Sequence, residues 1–142
     1  KDSLFKIKEV VEATNEQVQT IESVNQSVEE ISQMSQNTSQ SLQEIADALG
    51  VTDVIVTLGA QGARHYSASS GQALDVAALP VTPVDTTGAG DTFTGYVLSA
   101  LDRGLPMPQA MSLAARAAAL MVTRHGTADV IPDLKEVQSA RF

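Results

Sequence analysis

Cysteine is absent from the 142 residues, which excludes a disulfide framework, and with two separated histidines, His65 and His125, a Cys/His zinc site is excluded as well. Such usage fits a reducing compartment, and no signal-peptide pattern or long apolar run is present, so the expected location is cytoplasmic. The two histidines are expected as ordinary surface or loop residues. Basic residues are scarce: nine Lys and Arg stand against seventeen Asp and Glu, a net charge of −8. That balance argues against nucleic acid or an anionic membrane as a partner. Glycine and proline are missing from one half only, with no Gly before Gly50 and no Pro before Pro80. Residues 1–49 hold nine acids and three lysines, whereas the remainder holds eight acids and six basic residues. The two halves differ enough to predict two segments, 1–41 and 42–142.

In the first segment, apolar or small residues recur at Ile7, Val11, Thr14, Val18, Ile21, Val24, Val28, Ile31, Ser35, Thr38, Leu42, Ile45 and Leu49. The steps are threes and fours, which predicts a heptad-like seam on one long amphipathic helix, overwound locally at Val18-Ile21-Val24. A helix of this kind needs something to pack on, either the other segment or another copy of itself. The run Glu9 to Gln17, with Ile21, Val24-Asn25, Val28, Ile31 and Gln36-Asn37, resembles the cytoplasmic helical hairpin of bacterial methyl-accepting chemotaxis receptors. That resemblance implies Glu16 and Gln17 as methylation sites, since Ala13-x-x-Glu16-Gln17-x-x-Thr20 fits the receptor pattern. A generic solvated Glu/Gln face explains the same pair. The hairpin tip, partner helix and membrane anchor of such receptors are not seen, so a structural or oligomerising helix is the expectation.

The second segment opens with a helix over Leu42 to Leu49, ended by Gly50 in a left-handed cap. Val54-Ile55-Val56-Thr57-Leu58 then reads as a parallel strand covered on both faces, stopping at Gly59-Ala60-Gln61-Gly62. Taken alone, this stretch reads more readily as a strand with a hairpin turn. Short strands are expected over Ala63 to Tyr66 and Ala73 to Leu79, with Pro80 and Pro83 holding the lead-in to Val84 extended. A helix from about Gly90 to Asp102 turns Phe93, Tyr96, Val97, Ala100 and Leu101 inward and ends at Gly104. Another, Gln109 to about Arg124, is so rich in Ala, Leu and Met that close packing is its expected part, with no ligand contact written in it.

Chemistry concentrates in Val84-Asp85-Thr86-Thr87-Gly88-Ala89-Gly90-Asp91-Thr92-Phe93. A strand end, a small-residue turn and a helix start let the Gly88, Ala89 and Gly90 amides converge where the helix dipole is positive, an anion site. Asp91 at the mouth repels a phosphate, yet suits a base that deprotonates a hydroxyl attacking that phosphate. An ordinary tight turn with a first-turn acid accounts for the shorter Gly-x-Gly-Asp string.

Asp85-Thr86-Thr87-Gly88-Ala89-Gly90-Asp91-Thr92-Phe93 closely resembles the C-terminal signature of the ribokinase family of ATP-dependent sugar and nucleoside kinases. The resemblance covers about Leu42 to Phe142. It implies an α/β fold, part of a three-layer sandwich with a mostly parallel sheet, here preceded by the long helix. It implies Asp91 as catalytic base, the Gly88, Ala89 and Gly90 backbones as the hole for the transferring phosphoryl group, and Thr57, Gly59 and Gly62 as nucleotide contacts. ATP and Mg2+ are the implied cofactors, and a sugar the implied acceptor. In potassium-using relatives a monovalent cation lies beside the anion hole, and by position its shell would draw on Asp85, Thr87, Arg124 and Gly126, mainly through backbone carbonyls apart from Asp85. Val130 stands where such relatives often carry a hydroxyl, and Ala115 where a polar side chain often meets adenine. The family's Asn-x-x-Glu motif is not found, because Asn15, Asn25 and Asn37 are followed three residues later by Val18, Val28 and Gln40. The sugar-binding half of such a kinase is not seen either. The expectation is thus a chimera joined near Ser39 to Leu42, retaining nucleotide and phosphate binding without the substrate half, and free to self-associate through the helix or an exposed sheet edge. The competing expectation is an oligomerising coiled-coil or receptor-like signalling fragment without catalysis.

Overall fold

The computed structural model describes residues 2–142, with side chains from Lys6 onward. Its contacts divide the chain into two units, residues 1–44 and 45–142. The described residues of the first are all helical. Helix α1 spans Asp2–Leu49, running on past the expected segment boundary at 41/42, since no Gly or Pro interrupts it. It ends as the sequence requires: Gly50 adopts φ +65°, its N–H donates to Asp47 O at 3.3 Å, and the Val51 N–H donates to Ala46 O at 3.1 Å. This pair of bonds is the Schellman arrangement, in which a residue without Cβ turns left-handed to satisfy the last carbonyls.

The second unit carries three strands, β1 (Asp53–Thr57), β2 (Ala63–Ser67) and β3 (Gln72–Val76), in the order β1-β2-β3. Both pairings are antiparallel, with Ile55 opposite His65 and His65 opposite Leu74. The expected parallel sheet is therefore corrected to an antiparallel one among the described residues. Connection length is the reason: Leu58 to Gly62 and Ala68 to Gly71 are hairpin-sized, whereas parallel neighbours need a crossover of roughly a dozen residues. Val54, Ile55 and Val56 are half-buried rather than covered on both faces. Ala63 to Tyr66 are all buried, because β2 is the central strand.

One sheet face supplies Ile55, Ala63, Leu74 and Val76 to a core completed by helices α2 (Ala89–Asp102) and α3 (Met107–Met121), through Phe93, Val97, Met111 and Ala114. Ala110, Ala114 and Ala117 on α3 are wholly buried, small side chains that let α2 and α3 approach closely. Gly104, at φ +79°, closes α2 as Gly50 closes α1, with the Leu105 N–H donating to Ala100 O. Helix α3 starts earlier than expected because Pro106 and Pro108 sit at its cap and first turn, where a missing N–H costs nothing. No strand leads directly into Val84, contrary to the expected strand end; the Val84 and Asp85 N–H groups instead both donate to Val122 O, at 2.7 and 3.2 Å. A short helix α4 (Leu134–Ser139) follows, begun by a capping box between Asp133 and Glu136.

Candidate functional site

The start of α2 is built on the end of α3. Besides the two bonds to Val122, the Thr92 hydroxyl donates to Met121 Sδ at 2.7 Å, and Met121 is buried. Gly88 caps α2 at φ +78°, where a Cβ would stand 2.9 Å from Met121 Cε, so this glycine is required by backbone and packing together. No side chain caps the helix. The Ala89 N–H reaches back to Thr86 O at 3.3 Å and the Thr92 N–H to Gly88 O at 2.9 Å, while the Gly90 and Asp91 amides between them find no acceptor among the described residues. Two donors at a positive helix end are thus left pointing outward. Gly90 differs from Gly88 in that its φ is ordinary and a Cβ there would meet nothing within 4 Å.

Gly90 is also among the residues lining a cavity of about 680 Å³. Thr57, Gly59 and Gly62 line it from the end of β1 and the following turn, and Thr86, Ala89 and Gly90 from the start of α2. Gly62 has φ +101°, and a Cβ would fall 2.0 Å from Val76 O and 2.7 Å from Ala78 N. Its identity is therefore fixed by the chain folding over it, whatever else it contacts. A third wall comes from α3 and the residue after it: Ala115, the position that the resemblance sets against adenine, lines the cavity with Ala118, Ala119 and Val122, as do Leu79 to Val81 and Pro83. The residues of α3 themselves point only to packing, and this part of the expectation is corrected for Ala118 and Ala119. Asp91 is exposed beside the cavity rather than among its lining residues.

Asp85 lies in the same turn, with its Oδ1 accepting the Thr87 N–H at 2.9 Å. That bond, the Thr87 hydroxyl, a further amide bond from Gly126 and the neighbouring His125 hold its carboxyl below the usual carboxylate range. The expected cation-shell residues Asp85, Thr87 and Gly126 are thereby brought together. The side chain of Arg124 is engaged elsewhere, donating to Glu136 Oε1 at 2.9 Å and to Val130 O at 3.4 Å, and this pairing depresses the Glu136 carboxyl. Glu16 and Gln17 are exposed on α1.

His65 departs from the surface or loop position expected of it. It is buried on β2, its Nε2 2.8 Å from Asp53 Oδ1, and this bond, ahead of one from the Thr52 hydroxyl, holds the Asp53 carboxyl down. Nearby Arg64 is buried as well and grips Asp75 through two bonds of 2.5 and 2.6 Å. Among the described residues no three His or acidic side chains converge on a metal position, and no helix is long and apolar enough to cross a membrane.

Comparison with known proteins gives the geometry its context. The ribokinase of Schizosaccharomyces pombe is 42% identical over 87 residues, 61% of this chain and 27% of that protein. The Bacillus subtilis ribokinase is 42% identical over 96 residues, 66% of this chain and 32% of its own length. The chain thus spans about a third of the relatives it matches. Among solved structures, Arabidopsis thaliana ribokinase complexed with ribose and ATP superposes with a TM-score of 0.66 at 35% identity, covering 70% of this chain and 32% of that one. A putative ribokinase II from Escherichia coli in complex with ATP and Mg2+ gives 0.59 at 38% identity, covering 63% and 28%. A model of the pfkB family carbohydrate kinases matches residues 6–134, reaching well into α1 and including every residue of the cavity wall. On that match the chain belongs to the pfkB family of carbohydrate kinases.

Proposed function

We propose that the cavity between the β1 turn and the start of α2 binds a nucleoside triphosphate, ATP by kinship, and that the reaction it serves is phosphoryl transfer to a sugar hydroxyl. Gly90 carries this reading. A glycine in a helical first turn costs about 1 kcal/mol against alanine, and here neither backbone nor packing asks for one. Gly90 lines the cavity beside two amides without an acceptor, an arrangement that suits a phosphate.

In this reading the γ-phosphoryl oxygens accept from the Gly90 and Asp91 amides, with the Gly88 and Ala89 backbones shaping the hole. Asp91 takes the proton of the acceptor hydroxyl as that oxygen bonds to phosphorus. The bond to the β–γ bridging oxygen breaks and ADP leaves. Thr57, Gly59 and Gly62 approach the ribose and phosphates, and the alanine face of α3 with Leu79 and Val81 forms an apolar wall for the base. Magnesium bound with the nucleotide would neutralise charge on the phosphates, whose oxygens would supply most of its ligands. For potassium we assign the junction of Asp85-Thr87 with Arg124-Gly126, supported by an Asp85 carboxylate kept ionised beside two loops rich in backbone carbonyls. The cavity and the Asp85 to Asp91 turn both lie within residues 42–142. The sugar and the residues that select it are not assigned to this chain.

Titration calorimetry of ATP with Mg2+, in potassium and in sodium, tests the proposal on the wild type, Gly90→Val and Gly95→Ala. Gly95 is also helical with open space around it, but does not line the cavity. Saturable binding lost in Gly90→Val and kept in Gly95→Ala is the expected result. Equal binding by all three folded proteins would place the nucleotide elsewhere.

A further inference from the structure

The apolar seam of α1 is left in the open. Ile7, Val11, Val18, Ile21, Val24, Val28 and Ile31 are 48–65% exposed, a stripe that runs about 36 Å at 1.5 Å per residue. We propose that this stripe is the interface of a parallel, in-register two-helix coiled coil between two copies of the chain.

Three observations select that occupant. First, apolar residues alternating at threes and fours along the stripe fit as knobs into the holes of a second helix. Second, the chain is strongly acidic, so two copies repel unless the acids face away from the contact. Assigning Ile7, Thr14, Ile21 and Ile31 to d positions, and Val11, Val18 and Val28 to a positions, puts Glu9, Glu12, Glu16, Glu29 and Glu30 at b, c and f, with Glu22 alone flanking the seam. The other flanking sites include Asn15, Gln17, Asn25 and Ser27, which carry no charge.

Third, the hydroxyls on the seam are prepared for burial. Thr14 Oγ1 donates to Val10 O at 2.7 Å and Thr38 Oγ1 to Met34 O at 2.8 Å. Neither donor is stranded when water leaves, so the usual penalty for a polar group in an interface is avoided. Register follows from the same residues. Parallel in-register pairing sets Thr14 against Thr14, Thr38 against Thr38 and the overwound Val18-Ile21-Val24 step against itself. An antiparallel arrangement opposes these to mismatched layers.

The absence of cysteine provides the test on the full chain. Val28→Cys, at a seam position, is expected to form a covalent homodimer under mild oxidation at least tenfold faster than Glu12→Cys on the outer face. Sedimentation equilibrium of the wild type in the tens of micromolar should give a dimer mass, returned to monomer in Ile21→Lys with helicity by circular dichroism retained. A wild type that stays monomeric at several hundred micromolar overturns the proposal. So does equal crosslinking at the two sites, or a dimer that Ile21→Lys leaves intact. Should Ile21→Lys lose helicity, the crosslinking ratio decides alone.

Discussion

Gly62 and Gly59 are both turn glycines of the candidate nucleotide wall, yet the structure gives them very different consequences on substitution. Gly62 has φ +101° and ψ −134°, a region that residues with a side chain essentially avoid, at about 1–3 kcal/mol when forced. An added Cβ also falls 2.0 Å from Val76 O and 2.7 Å from Ala78 N, which are backbone atoms that cannot rotate away. Displacing the end of β3 adds about 1–3 kcal/mol of overpacking. Gly62→Ala is therefore expected to destabilise the chain by about 2–6 kcal/mol, against a typical domain stability of roughly 5–15 kcal/mol. Gly59, at φ +57° with nothing within 4 Å of its Cβ, carries only the left-handed penalty, about 1–2 kcal/mol. Urea unfolding followed by circular dichroism measures both, with the slope checked for constancy. Equal midpoints for the two variants, or a Gly62→Ala within 0.5 kcal/mol of wild type, would refute the reasoning that the chain crossing over Gly62 fixes its identity.

Other perturbations follow from the same geometry. Gly88→Ala combines a φ of +78° with a 2.9 Å approach to the flexible end of Met121, and should cost about 1–2 kcal/mol in the same unfolding assay. Tyr96→Phe removes the hydroxyl that donates to Pro132 O and should cost about 1 kcal/mol by thermal unfolding. Asp53, Asp75, Asp85 and Glu136 all have carboxyls held below their ordinary values, chiefly by His65, Arg64, the Thr87 amide and Arg124 in turn. Their stabilisation is complete above the ordinary carboxylate range of 3.8 to 4.5 and is lost as pH falls through the depressed values, so the urea midpoint should drop below pH 4. An acid limb unchanged in Asp75→Asn would remove Arg64 and Asp75 from that account. Asp91→Ala should leave ATP affinity within about threefold, since its carboxylate lies outside the lining; a loss of binding would give Asp91 a part in holding the nucleotide.

Much of the second unit was legible because its punctuation is local. Gly50, Gly104, Pro106 and Pro108 act through their own backbone, and each ends or starts a helix where a residue of that type must. The inward set Phe93, Val97 and Ala100 followed from helical period alone. Strand pairing was not legible from the apolar run Val54 to Leu58, because burial on both faces and burial on one produce the same short run; the loop lengths held the answer. His65 was misplaced because its burial depends on β2 being central and on Asp53 lying across the sheet, neither of which its neighbours in sequence announce. Of the α3 wall only Ala115 was legible, and only by resemblance, because alanines that pack a helix and alanines that leave room for a ligand are the same letters.

The central claim is that the first turn of α2 receives a phosphate, and the most direct measurement is a two-dimensional amide NMR titration of the full chain with Mg·ATP and, separately, with adenosine. The account predicts the largest shifts at the Gly90 and Asp91 amides for Mg·ATP and little change there for adenosine. Shifts that leave these amides in place while others saturate, or identical patterns for the two ligands, would contradict it.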